Sequence, residues 1–209
     1  MSKILQVVDD FYADPWMVRE TGLREESWLP PFNDGGHKFS TETQRLFYTP
    51  ELVDLLEGLV GSKIKVDPKR VSFGVFAYYG EDSDVRFSTH FDDTDWSAIV
   101  YLVPPESCSG GVSLYQHVPT GLFGPPANDE EAAELGFESR RQFLDDVYFP
   151  DKRRPDQWRE IDHIGMAFNR MVLLNGSARF HRATSGFGKD RATVRLTQRF
   201  FFDEAGDPR

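Results

Sequence analysis

At 209 residues the chain has room for one well-filled core. A net charge of −10 with no basic run excludes sequence-independent nucleic-acid binding, which depends on Lys and Arg neutralising phosphates. Cys108 is the only cysteine, so an intrachain disulfide is excluded and any metal site has to be built from histidine and carboxylate. The acidic balance would suit a basic substrate, although acidity is common in proteins that bind nothing cationic. The stretch M-S-K-I-L-Q-V-V-D-D lacks a signal-peptide apolar core, and no segment approaches the ~18 apolar residues of a membrane span, so a cytoplasmic protein without a membrane partner is expected.

In chain order, Ile4–Val8 reads as an edge or entry strand ending at Asp9-Asp10. Asp14-Pro15 is an N-cap followed by proline at the first helical position, and W-M-V-R-E-T-G-L continues as a helix. Trp28–Phe39 is rich in Pro, Gly and Asn and reads as a loop, with His37 a surface histidine beside two glycines. Thr49-Pro50 opens a second helix whose leucines at 52, 55, 56 and 59 line one face, with Gly61 as its stop.

From there the period changes to that of strands. Ile64–Val66, Val71–Tyr79, Ala98–Val103, Val112–Tyr115, Met171–Leu174 and Thr193–Phe202 are β-branched and aromatic runs bounded by turn residues. Helices followed by a set of strands predict a mainly β fold with flanking helices, its core a double-sheet jelly roll that leaves few open edges. The segment 119–167 interrupts the strands. Asn128 or Asp129 caps an acidic helical stretch there, which Gly136 splits, and an insertion of this length between core strands acts as a lid or as an interface. One domain over 1–209 is expected, with 1–62 as an N-terminal helical flank and 119–167 as a helical insertion.

The chemistry centres on F-S-T-H-F-D-D-T-D, residues 87–95. His90 and Asp92 are two apart, and on an extended strand both point to one face. A third ligand would complete the two-histidine, one-carboxylate set of non-haem Fe(II) sites. His181 follows the strand M-V-L-L-N-G, and Arg191 lies ten residues beyond it, opening R-A-T-V-R-L-T-Q-R-F-F-F. Strict alternation puts Arg191, Thr193 and Arg195 on one face, where a guanidinium can grip a carboxylate in two places. His117 follows the strand after the Gly110-Gly111 pair and is a candidate for the substrate pocket. His163 reads as structural. Arg86 and Asp95, flanking the motif, are candidates for contacts to substrate or to the ligating histidines, and Trp96 either lines the pocket or packs.

His90-x-Asp92, the strand S-A-I-V-Y-L-V, the Gly110-Gly111 pair, the strand Asn169–Asn175, His181 and Arg191-x-Thr193 stand in an order that resembles the Fe(II)/2-oxoglutarate-dependent dioxygenases, and among them the prolyl-4-hydroxylase-like branch. The likeness runs over roughly residues 71–202. It implies a double-stranded β-helix, with His90, Asp92 and His181 as both metal ligands and catalytic centre. Fe(II), 2-oxoglutarate and O2 would be the cofactors, with Arg191, Thr193 and Tyr101 around the distal carboxylate of 2-oxoglutarate. Retention of the carboxylate at Asp92 implies a hydroxylase. The substrate would be an amino acid, a peptide or protein side chain, or a small natural product, with Arg86, Asp95 and His117 as substrate contacts. Phe87 stands where members often carry tyrosine, three residues before the first ligand. The alternative is a catalytically silent metal-binding jelly roll with a structural or sensing role, which has no need of a cosubstrate anchor. Zinc-assisted hydrolysis on the same three residues would need a positioned general base, and the sequence offers no clear one.

Overall fold

Side-chain caps start the helices where the sequence places them. Asp14 accepts the Met17 N–H ahead of α1 (Pro15–Arg24), and Thr49 accepts the Leu52 N–H ahead of α2 (Pro50–Val60), which ends on Gly61 with φ 86°. The computed structural model describes residues 4–67 and 70–206.

The strands are β1 (Leu5–Val8), β2 (Asn33–Asp34), β3 (His37–Lys38), β4 (Thr41–Glu42), β5 (Ile64–Lys65), β6 (Phe73–Tyr79), β7 (Trp96–Tyr101), β8 (Gly111–His117), β9 (Trp158–Gly165), β10 (Met171–Leu174), β11 (His181–Ala183) and β12 (Arg195–Glu204). Seven of them form a large sheet in the order β1-β10-β7-β12-β6-β4, with β5 paired to the far end of β12. A small sheet has the order β11-β8-β9, and β2 pairs with β3 as a separate hairpin. All of these pairings are antiparallel.

Alternation along β7 and β12 divides the large sheet into two working faces. Trp96, Ala98 and Val100 of β7, with Leu196, Phe200 and Phe202 of β12, join Leu56 of α2 in one apolar cluster, and Val18 and Leu23 of α1 pack onto it. The opposite face carries Tyr101, which joins Val112 and Leu114 of β8 and Ile164 of β9 in a second cluster between the two sheets. A third cluster puts Phe143, Leu144 and Tyr148 over Tyr115, Trp158 and Phe180, on the outside of the small sheet. The chain therefore stacks as helices, large sheet, small sheet and inserted helices. Each fully buried large side chain contributes about 1.5–3 kcal/mol, so the inter-sheet cluster holds the walls of anything built between the sheets.

Three expectations change. The segment expected to be helical over 119–167 is so only in part: α3 (Asp129–Glu134, capped by Asn128), α4 (Arg140–Phe143), a π turn over Leu144–Tyr148 and a last turn at Phe149–Asp151. From Trp158 onward it is β9, which pairs along β8 from His117↔Trp158 to Gly111↔Gly165. Edge position is the reason: residues 159–163 are exposed, so the strand carries little apolar patterning. The loop expected over 28–39 holds the short β2–β3 hairpin. The last long strand begins at Arg195 rather than at Thr193.

Candidate metal centre

β11 is too short to show in a sequence, yet it sets the site. His181, its first residue, forms an antiparallel bridge with His90, whose N–H donates to the His181 carbonyl at 2.9 Å while the His181 N–H donates back at 2.8 Å. Residues paired in this way present side chains on the same face, and the two imidazole centroids are 4.4 Å apart. Asp92 follows two residues after His90 on that face, its N–H bonded to the Gly176 carbonyl at 3.0 Å. Glycine is required at 176, because a Cβ there would lie 2.1 Å from Asp92 Oδ2.

The donor atoms converge. His90 Nε2 stands 3.4 Å from Asp92 Oδ1, His181 Nε2 stands 3.3 Å from Asp92 Oδ2, and all three ligand atoms lie within 4.8 Å of one another. Each Nδ1 meets a backbone carbonyl, Ser88 O at 2.5 Å for His90 and Arg179 O at 2.9 Å for His181. A carbonyl can only accept, so each Nδ1 carries a proton, and each ring is oriented with its Nε2 toward Asp92. Ser97 Oγ donates to Asp92 Oδ2 and holds the carboxylate in turn. The imidazole of His90 is 39% exposed against 5% for that of His181, so the centre opens on the His90 side.

Burial alone would raise the Asp92 pKa, but the charge of His181 and the hydrogen bonds from both histidines hold it well below the usual carboxylate range. Burial alone would lower the pKa of His181, and the Asp92 carboxylate reverses that and raises it. Two imidazoles and an ionised carboxylate facing one point, with one side open, are a donor set suited to a divalent metal such as Fe(II).

Behind the ligands lies a small cleft of about 50 Å³ between the two sheets, walled by Ile99, Val112, Ala183 and Phe201. Arg195 lines it, 2% exposed, and Tyr101 beside it is fully buried. The Arg195 guanidinium carbon lies 5.3 Å from the Tyr101 ring centre, and one nitrogen donates to the Gly111 carbonyl at 3.1 Å. The Arg195 Nε and the Tyr101 hydroxyl are buried without hydrogen-bond partners among the described residues. Burial lowers the pKa of Arg195 and raises that of Tyr101. Groups buried this deeply are normally paired, and a guanidinium fork beside a hydroxyl matches a carboxylate.

The other expected residues are placed as follows. Arg191 and Thr193 are exposed and outside the cleft. Arg191 donates to the Glu25 carbonyl at 2.7 Å and lies 5.5 Å over the Trp28 ring, while Thr193 Oγ1 donates to the Asp190 carboxylate at 2.9 Å. The reason is a local turn: Asp190 Oδ1 accepts the N–H groups of Ala192 and Thr193, both at 3.0 Å, so the alternation that would have aligned Arg191 with Arg195 does not begin until the strand does. His117 is buried away from the cleft, with its Nε2 3.1 Å from Asp151 and its Nδ1 2.9 Å from Thr120, and it fastens the inserted segment to β8. Arg86 is exposed, lies 4.5 Å over the Phe87 ring, and offers its carbonyl to Arg182 at 2.6 Å. Asp95 binds the Glu204 N–H at 3.1 Å and ties the ligand loop to the end of β12. Trp96 packs in the outer cluster, and His163 meets Ser113 at 2.8 Å. His37 rests on the Phe87 ring at 4.3 Å. Arg195, Arg199, Ser97 and Tyr79 line the cleft beyond the residues expected there; the signal for Arg195 is D-R-A-T, an aspartate-led turn that resets the strand start.

No family model and no curated protein matches the sequence. Among solved structures, the chain is similar to HygX from Streptomyces hygroscopicus with nickel and 2-oxoglutarate bound, at 14% identity over 98% of this chain and 84% of that one, with a TM-score of 0.42. Against HygX with nickel, 2-oxoglutarate and hygromycin B bound, the figures are 12%, 98%, 84% and 0.44. It is also similar to TqaL, described as an Fe(II)/α-ketoglutarate-dependent dioxygenase, at 12% identity over 97% and 83%, with a TM-score of 0.38. Likeness this remote carries no argument about activity, which rests on the residues themselves. Among the described residues no helix is long and apolar enough to cross a membrane.

Proposed function

We propose that this chain is an Fe(II)/2-oxoglutarate-dependent oxygenase on a double-stranded β-helix, hydroxylating a C–H bond of a small-molecule or peptide substrate. The observation that carries the reading is a pairing of needs. At one end of the cleft three ligand atoms face one point, and at the other the buried Arg195 Nε and the buried Tyr101 hydroxyl have no hydrogen-bond partner among the described residues. A dicarboxylate that chelates a metal at one end and carries a free carboxylate at the other satisfies both. His90, Asp92 and His181 hold the ion, and Arg195 with Tyr101 takes the distal carboxylate in the role expected of Arg191 and Thr193. The order of ligands along the chain supports the prolyl-4-hydroxylase-like branch, without its prolyl specificity.

The protein's own groups set the geometry. The Ser88 and Arg179 carbonyls fix both imidazole tautomers, and Ser97 fixes the carboxylate. Arg195 orients the cosubstrate from the closed end, and the apolar walls keep bulk water from it. Bound there, Fe(II) with 2-oxoglutarate and O2 supplies the oxidising power for hydroxylation, with succinate and CO2 as co-products.

Anaerobic addition of Fe(II) and 2-oxoglutarate to the purified protein tests this directly. A weak visible charge-transfer band is expected, and it should vanish in His181→Ala protein whose melting curve shows that it has folded. If fully metal-loaded wild type gives no band, the cosubstrate assignment is wrong and the silent metal-binding alternative takes its place.

A further inference from the structure

The proposed function leaves one cation of the cleft unused. Arg199 lies on the same face of β12 as Arg195, lines the same cleft and is 9% exposed. It pairs across the sheet with Ile99, one step along the inner face from the Phe201–Ser97 pair, whose serine holds Asp92. Arg199 therefore stands nearer the metal end than Arg195 does. The two arginines also lean apart. Arg195 reaches the Gly111 carbonyl of the small sheet, whereas Arg199 donates to Ser40 Oγ at 3.0 Å, toward the edge where β4 lies. The Tyr79 ring borders both, 5.4 Å from the Arg195 guanidinium carbon and 5.1 Å from that of Arg199.

Charge balance then points to a second anion. Each guanidinium makes its hydrogen bond to a neutral oxygen, and Asp92 is the only acid among the described residues lining the cleft. A divalent ion and two guanidinium groups against one carboxylate leave three positive charges. The 2-oxoglutarate dianion cancels two of them. Buried charge is kept when it is paired, and the remaining group is Arg199, whose strand position is nearer the metal end.

On the basis of the function proposed above, we infer that Arg199, with the Ser40 hydroxyl beside it, binds a carboxylate of the primary substrate, so the substrate class is a carboxylic acid such as a free amino acid or an acidic side chain. The cleft selects against the basic substrates that the net charge of −10 would favour, because the local field inside it is of the opposite sign. A planar carboxylate between a guanidinium and a hydroxyl also gains direction, which places the C–H bond to be oxidised relative to the metal.

The test uses the anaerobic Fe(II)·2-oxoglutarate protein at constant ionic strength, with acetate, propionate and benzoate as probes and their carboxamides as neutral controls. The carboxylates should shift the visible band and raise the melting temperature, and the carboxamides should do neither. In Arg199→Met the half-saturating carboxylate concentration should rise about tenfold or more, the scale of losing a charged hydrogen bond, while that for 2-oxoglutarate stays within about threefold. Arg195→Met should show the reverse. Arg199→Lys, which keeps the charge, should retain part of the response and serves if the methionine variant does not fold. A carboxylate response that survives in Arg199→Met, its absence in wild type, or loss of 2-oxoglutarate as severe as in Arg195→Met overturns the inference while the band itself stands. Absence of the band in wild type removes the function and this inference together.

Discussion

The two ends of the cleft are built by different means. At the mouth, His90 and Asp92 share a face because they are two residues apart, and one cross-strand bridge brings His181 to them. At the closed end, the arginine that enters is chosen by where β12 begins, and that depends on a turn held by Asp190. The first end is local chemistry read straight from spacing. The second is a register, and a register can move by whole residue pairs without any change in the pattern of the strand. The mouth should therefore be sensitive to small steric changes, and the closed end to which arginine is removed.

The largest effect is expected at Gly176. A Cβ at this position would meet Asp92 Oδ2 at 2.1 Å and Ser97 Oγ at 2.8 Å, so Gly176→Ala has to displace the carboxylate or its serine support. Metal affinity should fall about 10–100-fold, as it does when the groups orienting a ligand are disturbed. Calorimetric titration with Fe(II) or another divalent ion checks this. Unchanged affinity would mean that the carboxylate is not a ligand in the position described.

The arginines come next. Arg195→Met should weaken 2-oxoglutarate by about 10–100-fold, the loss of a buried charged hydrogen bond, and leave metal affinity nearly unchanged. Arg191→Met should leave both unchanged, because Arg191 lies outside the cleft, bonded to the Glu25 carbonyl and over the Trp28 ring. If the two variants trade places, β12 enters the sheet in another register than the one described.

Protonation separates the ends further. The raised pKa of His181 means that its contribution to stability is fully present below the ordinary histidine value of about 6.5 and is lost as pH rises through the raised folded value. Asp92, held low, contributes above the ordinary carboxylate value of about 3.9 and loses that contribution as pH falls through its depressed value. The metal-free protein should gain most from this pair between the two ordinary values, about 3.9 and about 6.5, and lose the gain as pH falls through the depressed Asp92 value or rises through the raised His181 value. A metal competes with the His181 proton, so the rise in melting temperature on adding metal should grow as pH climbs through the raised His181 value. An increment independent of pH over that range would remove His181 from the ligand set.

What the sequence shows and what it hides divide along the same line. The helix starts at Asp14, Thr49 and Asn128 are legible because a cap and the residues it serves lie within one turn. His90, Asp92 and His181 are legible because two of them are neighbours and the chain has few other histidines. β9 is hidden because its middle residues are exposed on an edge, and β11 because three residues carry no period. Arg195 sits within the alternation that placed Arg191 and Thr193, but parity alone could not say which arginine enters, since the Asp190 turn suspends the strand for those two residues.

That turn supplies the smallest expected effect and the most direct test of the register. Asp190 Oδ1 accepts two N–H groups at 3.0 Å and the Thr193 hydroxyl at 2.9 Å, all at an exposed site. Asp190→Ala removes all three, yet water replaces much of what is lost at the surface, so the stability cost should be about 0.5–1.5 kcal/mol by denaturant titration. The informative readout is cosubstrate affinity. β12 is fixed on both sides by its pairing with β6 and β7, with Arg195 opposite Tyr79 and Thr197 opposite Tyr101. If those pairs hold the register unaided, 2-oxoglutarate binding in Asp190→Ala stays within about twofold of wild type, because less than ~0.5 kcal/mol reaches the site. A loss approaching that of Arg195→Met would show that the turn, rather than the sheet, keeps Arg195 in the cleft.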